Sequence, residues 1–220
     1  ADGQAQQQAR YDLALLRYLA NSAEQAVPLF EGVVADFSFL GEAHNNLGLL
    51  HVAQSSLVTG AEYLNKAAQL LPSSAAVRSN LALTYLLEGD LAAAEQQAKV
   101  ANDLDAGLPP AHEFVGRVYD AWGQLPQALE HWRTLAGLEP AEPDSHSNLG
   151  VTYYRLGQVD GAIEHFRRAL VLSQHALEAV NDLGLAYAKA GQLDEALHYL
   201  GRVVELSPDD PVAHSNYGLA

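Results

Sequence analysis

The clearest chemical pattern in the sequence is a series of amide and carboxylate side chains spaced 34 residues apart. Every place in the series holds asparagine or aspartate except one, which holds phenylalanine: Asp12, Asn46, Asn80, Phe114, Asn148, Asp182 and Asn216. A carboxamide offers both hydrogen-bond donors and an acceptor, so a row of them suits the backbone of an extended peptide without reading its side chains. The same series is also compatible with amides that hold neighbouring helices together.

Histidine also recurs at multiples of 34 residues, at His44, His112, His146 and His214. Packed helices lie about 8–10 Å apart, so equivalent histidines of successive repeats cannot share a metal ion, whose bonds are about 2 Å long. We interpret His131, His165 and His198 as residues of an outer face. The sequence contains no Gly-rich phosphate loop, Gly-x-Ser-x-Gly elbow or His-Glu-x-x-His motif. We therefore expect no metal, no cofactor and no catalysis by this chain.

The composition disfavours several kinds of partner. The chain has 12 Lys+Arg against 27 Asp+Glu, a formal net charge of -15, whereas binding to nucleic acid depends on clustered Lys and Arg. An anionic membrane surface is disfavoured for the same reason. No apolar run approaches the ~18 residues of a membrane span, and no cysteine is present for a disulfide or a thiolate site. We expect a soluble protein, either cytoplasmic or exported to the cell envelope.

The elements that would carry these side chains follow from the same period. A period in this range indicates stacked supersecondary units that pass a shared core from one repeat to the next. With Pro143 as position 1, residues 1–6 form an N-terminal extension, and the repeats are 7–40, 41–74, 75–108, 109–142, 143–176, 177–210 and a partial repeat, 211–220. We predict a single solenoid domain over residues 7–220, with two helices in each repeat and no strands.

Small residues at two positions of the repeat support this register. Position 8 holds only glycine or alanine: Ala14, Gly48, Ala82, Gly116, Gly150, Gly184 and Gly218. Position 20 does the same: Ala26, Gly60, Ala94, Ala128, Ala162 and Ala196. Glycine inside a helix costs up to about 1 kcal/mol relative to alanine, so its recurrence predicts that the two helices pack closely there. Position 15 often holds a glycine suited to end the first helix: Gly89, Gly123, Gly157 and Gly191.

Over residues 7–220 the sequence resembles the tetratricopeptide repeat family. Tyrosine at position 11 and proline at position 32 match its pattern: Tyr85, Tyr119, Tyr153, Tyr187, Pro72, Pro140 and Pro208. Repeats 1 and 2 depart from it, since Arg17 and His51 replace the tyrosine, and Asn21 and Ser55 replace the glycine. Pro28 falls inside a helix, where it should produce a kink. The resemblance implies an all-α, right-handed superhelical solenoid of helix-turn-helix repeats.

The resemblance also implies a concave groove lined by the first helix of each repeat. The asparagine series would face this groove, and it is similar to the asparagine ladder in the repeat domain of the O-linked N-acetylglucosamine transferase. We predict a peptide-binding groove that combines the amide series with an apolar series and three basic residues: Asn46, Asn80, Asn148, Asp182, Asn216, Leu49, Leu83, Val151, Leu185, Arg117, Arg155 and Lys189. The apolar series is equally compatible with packing inside the stack.

The charges of this predicted groove restrict its partner. Positions 2, 5 and 6 hold no lysine or arginine in any repeat, so the carboxylate clamp that some family members use is not expected. The three basic residues are outnumbered by acidic ones at groove positions: Glu42, Glu113, Asp120, Asp144, Glu178 and Asp182. We therefore expect a neutral or basic protein or peptide as the partner.

The sequence predicts a protein-interaction scaffold that binds a peptide or a partner subunit in its groove. An alternative is a structural module that forms homo-oligomers or filaments by head-to-tail stacking. The partial seventh repeat has no second helix, which leaves Tyr217 and Leu219 as a possible assembly surface. A more remote alternative is the substrate-recruiting arm of a larger transferase.

Overall fold

The computed structural model describes residues 2–20, 22–173 and 177–220. Within these ranges every regular element is an α-helix, which confirms the predicted all-α fold class. The helices are α1 (Asp2–Leu19), α2 (Ala23–Asp36), α3 (Gly41–Ala53), α4 (Leu57–Leu70), α5 (Ala75–Glu88), α6 (Leu91–Leu104), α7 (Pro109–Ala121), α8 (Leu125–Leu138), α9 (Pro143–Arg155), α10 (Val159–Leu172), α11 (Leu177–Lys189), α12 (Leu193–Leu206) and α13 (Pro211–Leu219).

The helix boundaries follow the 34-residue register of the sequence. Six helices begin at residues that the register places at position 1: Gly41, Ala75, Pro109, Pro143, Leu177 and Pro211. α1 differs, because it begins at Asp2 and so includes residues expected to form an N-terminal extension. α2 runs through Pro28 from Ala23 to Asp36.

First helices end where the backbone turns left-handed. The angle φ lies between 72° and 82° at four glycines: Gly89, Gly123, Gly157 and Gly191. At the matching place in the second repeat Ser55 has a φ of 61°, a conformation that is costly for a residue with a Cβ atom. Asn21, the counterpart in the first repeat, lies outside the described residues.

Paired helices approach each other closely at positions 8 and 20. A Cβ atom on Gly48 would lie 3.0 Å from the backbone oxygen of Gly60 and 2.7 Å from Cγ of Leu64. A Cβ atom on Gly150 would lie 2.7 Å from two ring carbons of Phe166, a side chain that is 1% exposed. These distances are shorter than real Cβ contacts, so packing requires the glycines, as the sequence predicted.

The chain divides into two compact units, an N-terminal unit (Ala1–Val118) and a C-terminal unit (Tyr119–Ala220), with the boundary inside α7. Phe30 and Leu47 are among the fully buried side chains of the N-terminal unit, and Trp132, Phe166 and Leu200 are among those of the C-terminal unit. None of the helices in residues 2–20, 22–173 and 177–220 combines the length and the apolar character needed to cross a bilayer.

Candidate functional site

The amide series lies on first helices, and three of its side chains bond to the preceding repeat. Asn80 donates from Nδ2 to Oδ1 of Asn45 at 2.8 Å, and Asn216 donates in the same way to Asn181 at 2.8 Å. Asn46 donates to the hydroxyl of Tyr11 at 3.1 Å. Each acceptor stands at position 5 of the preceding repeat. These amides therefore tie successive first helices together, which is the alternative that the sequence left open.

Bonds within a helix extend these ties into small networks. In the N-terminal unit Asn45 donates to Asn46 at 3.2 Å, so a continuous chain of hydrogen bonds runs from Asn80 through both residues to Tyr11. In the C-terminal unit Asn181 donates to Asp182 at 3.3 Å. Position 5 was the signal that sequence reasoning missed, because asparagine there supplies the acceptor for the next repeat.

The carboxylate of Asp182 ends the network of the C-terminal unit in a poorly solvated place. Burial raises the pKa of Asp182, the hydrogen bond from Asn181 lowers it, and the negative charge of Glu178 raises it again. The side chain is half-buried beside another acid. A cation placed next to it would stabilise its ionised form.

The apolar series of the predicted groove is half-buried along most of its length. Leu49 packs against the buried cluster around Leu64, and Val151 packs against the cluster around Phe166. Leu83 and Leu185 are also half-buried. These side chains therefore contribute to packing within each unit and present only part of their surface outside it.

The three predicted groove cations all have partners within the chain. Arg117 pairs with Glu113 on the same helix at 2.6 Å. Arg155 pairs with Oδ1 of Asp120 at 3.1 Å, and that carboxylate also accepts from the indole nitrogen of Trp132 at 2.9 Å. The carboxylate is thereby held between two helices of the C-terminal unit.

Lys189 repeats the arrangement of Arg155 one repeat later. Its ammonium donates to the backbone oxygen of Tyr154 at 3.1 Å and lies 4.2 Å from the centroid of that ring. In both cases a cation at position 13 contacts position 12 of the preceding repeat. Both cations thus stabilise the stack, and a partner would have to compete for them.

Two pockets occupy matching places, one in each unit. The first has a volume of about 380 Å³ and is lined by Tyr11, Glu42, Asn45, Asn46, Leu71, Ser74, Ala76 and Val77. The second has a volume of about 320 Å³ and is lined by Leu177, Glu178, Asn181, Asp182, Val203, Asp210, Val212 and Ala213. Each contains a glutamate at position 2 and the position-5 and position-6 side chains of one repeat. In the sequence only repeats 2 and 6 combine glutamate at position 2 with asparagine at position 5. This combination could have predicted where the two pockets lie.

The two pockets differ in charge at two matching positions. Asn46 in the N-terminal pocket corresponds to Asp182 in the C-terminal pocket, and Ser74 corresponds to Asp210. Ser74 and Asp210 both cap the helix that follows, accepting from a backbone nitrogen at 3.3 and 2.9 Å. Three carboxylates therefore line the C-terminal pocket, from Glu178, Asp182 and Asp210. One carboxylate, that of Glu42, lines the N-terminal pocket.

The position-4 histidines act in the turns between repeats. In each, Nε2 lies within hydrogen-bond distance of a backbone oxygen six residues earlier, at 2.8 to 3.2 Å: His44, His112, His146 and His214. The described residues contain no group of three or more side chains placed to hold a metal ion.

Of the histidines assigned to an outer face, only His198 is exposed. The assignment is wrong for His165, whose ring stacks between those of His146 and Tyr153. His131 is half-buried, with its ring 5.9 Å from that of Tyr119. The sequence interpretation failed because position 23 turns toward the first helix of its own repeat.

The predicted assembly surface is partly used within the chain. Tyr217 is 42% exposed, and its ring lies against α12, since a Cβ atom on Gly201 would be 3.3 Å from its Cε2 atom. Leu219 is 79% exposed. Of the two residues, Leu219 offers the larger free apolar surface.

Four models of the tetratricopeptide repeat match the sequence, over residues 11–75, 75–99, 116–157 and 141–209. Together these matches span most of the chain. No curated protein matches the sequence.

Several solved structures share the fold. Pseudomonas aeruginosa PilF aligns with a TM-score of 0.84 at 18% identity, covering 99% of this chain and 97% of that chain. YrrB, a TPR protein with an unusual peptide-binding site, aligns with a TM-score of 0.72 at 18% identity, covering 84% of this chain and 96% of that chain. A chain of the APC/C hetero-tetramer Cut9–Hcn1 aligns with a TM-score of 0.77 at 17% identity over 94% of this chain, which spans 41% of that one. At these identities the similarity establishes the fold alone.

Proposed function

Because the chain belongs to the tetratricopeptide repeat family, we propose that it is a protein-interaction scaffold that binds an extended segment of a partner protein. YrrB, which shares the fold, has a peptide-binding site. The proposed binding surface is the row of first helices that carries the predicted groove residues. The likeness of this surface to the groove of the O-linked N-acetylglucosamine transferase stays a prediction.

The observation that carries the proposal is the pair of matching pockets. Each is lined by an amide side chain that is already bonded to a neighbouring repeat, so the walls are ordered before a partner arrives. Binding to ordered groups avoids the entropy cost of fixing them, about 0.5–1.5 kcal/mol for each flexible side chain. A carboxamide also keeps bonding capacity after one hydrogen bond is made, because it has two N–H groups and an oxygen with two lone pairs.

The C-terminal pocket fits a lysine or arginine side chain of the partner. Its apolar walls, Leu177, Val203 and Val212, suit the aliphatic part of such a side chain. Its carboxylates suit the charged end, and the ionised form of Asp182 gains most, since burial and Glu178 both raise the pKa of that group. The net charge of -15 attracts a basic partner in addition.

Peptide pools test this proposal. The probes are nine-residue peptides of mixed sequence whose central residue is fixed as lysine, as the uncharged norleucine, or as glutamate, and binding is measured by fluorescence polarisation. We expect the lysine pool to bind best and Asp182→Asn to weaken it about tenfold, equivalent to about 1.4 kcal/mol. Asparagine keeps an oxygen that can accept from Asn181, so the variant removes the charge and retains the network.

A matched exchange provides the control. Asn46→Asp gives the N-terminal pocket the carboxylate that the C-terminal pocket has, and should strengthen binding of the lysine pool. If peptides bind but the lysine and norleucine pools do not differ, the charge assignment of the pocket is wrong. If none of the three pools binds, the scaffold proposal itself is contradicted.

Self-assembly is a second candidate function, favoured by the exposed apolar side chains of α13. Val212 is 62% exposed and Leu219 is 79% exposed. Light scattering coupled to size exclusion over a concentration series tests this candidate. A mass that climbs above 23.6 kDa with concentration and returns to it in Leu219→Glu would support assembly. A constant mass near that value would contradict it.

A further inference from the structure

His146 and His165 face each other between α9 and α10 of the C-terminal unit. Their Nδ1 atoms lie 3.3 Å apart, and their ring centroids are 5.5 Å apart with the planes inclined by 19°. Nε2 of His146 lies 3.2 Å from the backbone oxygen of Pro140, in the turn between α8 and α9. His146 thereby links three parts of the unit, and it is 3% exposed.

These contacts assign the hydrogens of the two rings. A backbone oxygen only accepts hydrogen bonds, so Nε2 of His146 carries a hydrogen. Nδ1 of neutral His146 therefore bears a lone pair, and Nδ1 of His165 is the donor between the rings. The bond exists only while one of the two Nδ1 atoms lacks a hydrogen. When both rings are charged, both Nδ1 atoms carry hydrogens and the contact becomes repulsive.

A stack of rings holds His165 in this position. Its ring lies 5.5 Å from that of Tyr153, with the planes inclined by 12°. The hydroxyl of Tyr153 accepts from Nη2 and Nε of Arg133, on α8, at 3.0 and 3.1 Å. Tyr153 also belongs to the apolar cluster that contains Tyr187 of α11. The rings and the arginine that hold the pair thus come from α8, α9 and α10.

The surrounding charges oppose protonation of His165. Burial lowers the pKa of His165 most, and the charge of His146 lowers it next. Glu164 on the same helix raises that pKa, but Arg168 and Arg133 both lower it. Two arginines therefore act against one glutamate.

We propose that the His146–His165 pair is an acid-sensitive switch, which holds α9, α10 and the α8–α9 turn together at neutral pH and releases them when both imidazoles are charged. In the unfolded chain His165 takes up a proton near pH 6.5, whereas in the folded chain burial and the charge of His146 lower the pKa of His165. The stabilisation is therefore complete above that pH and is lost as the pH falls. Each proton bound only by the unfolded chain changes the unfolding equilibrium constant by up to about tenfold per pH unit.

Another repeat of the chain shows the same stack without histidine. In repeat 6 the matching positions 4, 11 and 23 hold Val180, Tyr187 and Tyr199. The rings of Tyr187 and Tyr199 lie 5.6 Å apart with the planes inclined by 13°. The fold therefore accommodates tyrosine at position 23, and the proposed acid sensitivity comes from histidine at positions 4 and 23, a combination that repeat 4 shares at His112 and His131.

The first test reads the hydrogens directly. Long-range ¹H–¹⁵N correlation spectra of the full ¹⁵N-labelled chain at pH 8 distinguish the two tautomers of each histidine. We expect hydrogen on Nε2 of His146 and on Nδ1 of His165, with signals assigned by comparison with His165→Tyr. Hydrogen on Nε2 of His165 together with Nε2 of His146 would overturn the proposal, because no bond would then join the rings.

The second test measures the consequence. Urea midpoints of the full chain between pH 8 and pH 5 should fall more steeply for the wild type than for His165→Tyr, which copies repeat 6. His198→Tyr removes an exposed histidine from α12 and should keep the wild-type pH dependence. If His165→Tyr does not fold, the measurement uses the double variant His146→Val/His165→Tyr instead, which copies repeat 6 at both positions. Equal pH dependence in the wild type and the variant that removes the pair would refute the switch.

Discussion

The close approach of α9 and α10 at Gly150 gives the sharpest test of the packing argument. In Gly150→Ala the new Cβ atom would lie 2.7 Å from two ring carbons of Phe166 and 3.1 Å from a third. That ring is 1% exposed and cannot move aside without displacing its neighbours. Overpacking of this kind costs about 1–3 kcal/mol. Replacing a helical glycine by alanine returns up to about 1 kcal/mol, so we expect a net loss of up to about 2 kcal/mol in the free energy of unfolding.

Urea unfolding followed by circular dichroism and by the fluorescence of Trp122 and the buried Trp132 measures this loss. Gly137→Ala is the matched control, because Gly137 lies in α8 of the same unit and a Cβ atom there would meet nothing within 4 Å. We expect that control to gain about 0.5–1 kcal/mol. If Gly150→Ala stabilised the chain as Gly137→Ala does, close packing would not be the reason for the glycine.

Two further substitutions test local features of the N-terminal unit by the same unfolding measurement. Ser55→Gly should stabilise the chain by about 1 kcal/mol, because Ser55 has a φ of 61°. Ser56 has a φ of -89°, so the control Ser56→Gly should not stabilise the chain. An equal gain in both variants would contradict the strain argument. Asn45→Ala should cost about 1–3 kcal/mol, because it removes the acceptor of Asn80 from the hydrogen-bond network. Ser215→Ala, at the same repeat position but exposed, should have little effect.

The ties between successive repeats change how the predicted groove is understood. The amide series was expected to face a peptide, and three of its members bond instead to position 5 of the preceding repeat. Arg155 and Lys189 contact position 12 of the preceding repeat in the same manner. These side chains order the proposed binding surface, and a peptide bound there would use the bonding capacity that remains. Their role as peptide-binding residues stays a prediction, as does a single continuous solenoid over residues 7–220.

Much of the fold could be predicted because its signals are local or periodic. Glycine at Gly89 ends a helix through its own backbone freedom, with φ at 82°. Gly48 and Gly60 could be recognised as a contact because close helix packing leaves space for nothing larger. Such constraints act on the residue type itself, so they are visible in a sequence without coordinates.

Hydrogen-bond partners could not be predicted in the same way. The 34-residue period aligns Asn46 with Asn80, but the bond of Asn80 goes to Asn45, because stacked helices are offset and position 6 meets position 5. The facing of His146 and His165 likewise depends on which side of α10 turns toward α9. Hydrogen bonds require donor and acceptor within about 3 Å. The sequence by itself determined the repeat, the helix pairs and the small residues between them. Only the tertiary structure decided which polar side chains meet. The repeat period does not specify the offset between neighbouring helices to within about 3 Å, and a hydrogen bond requires that precision.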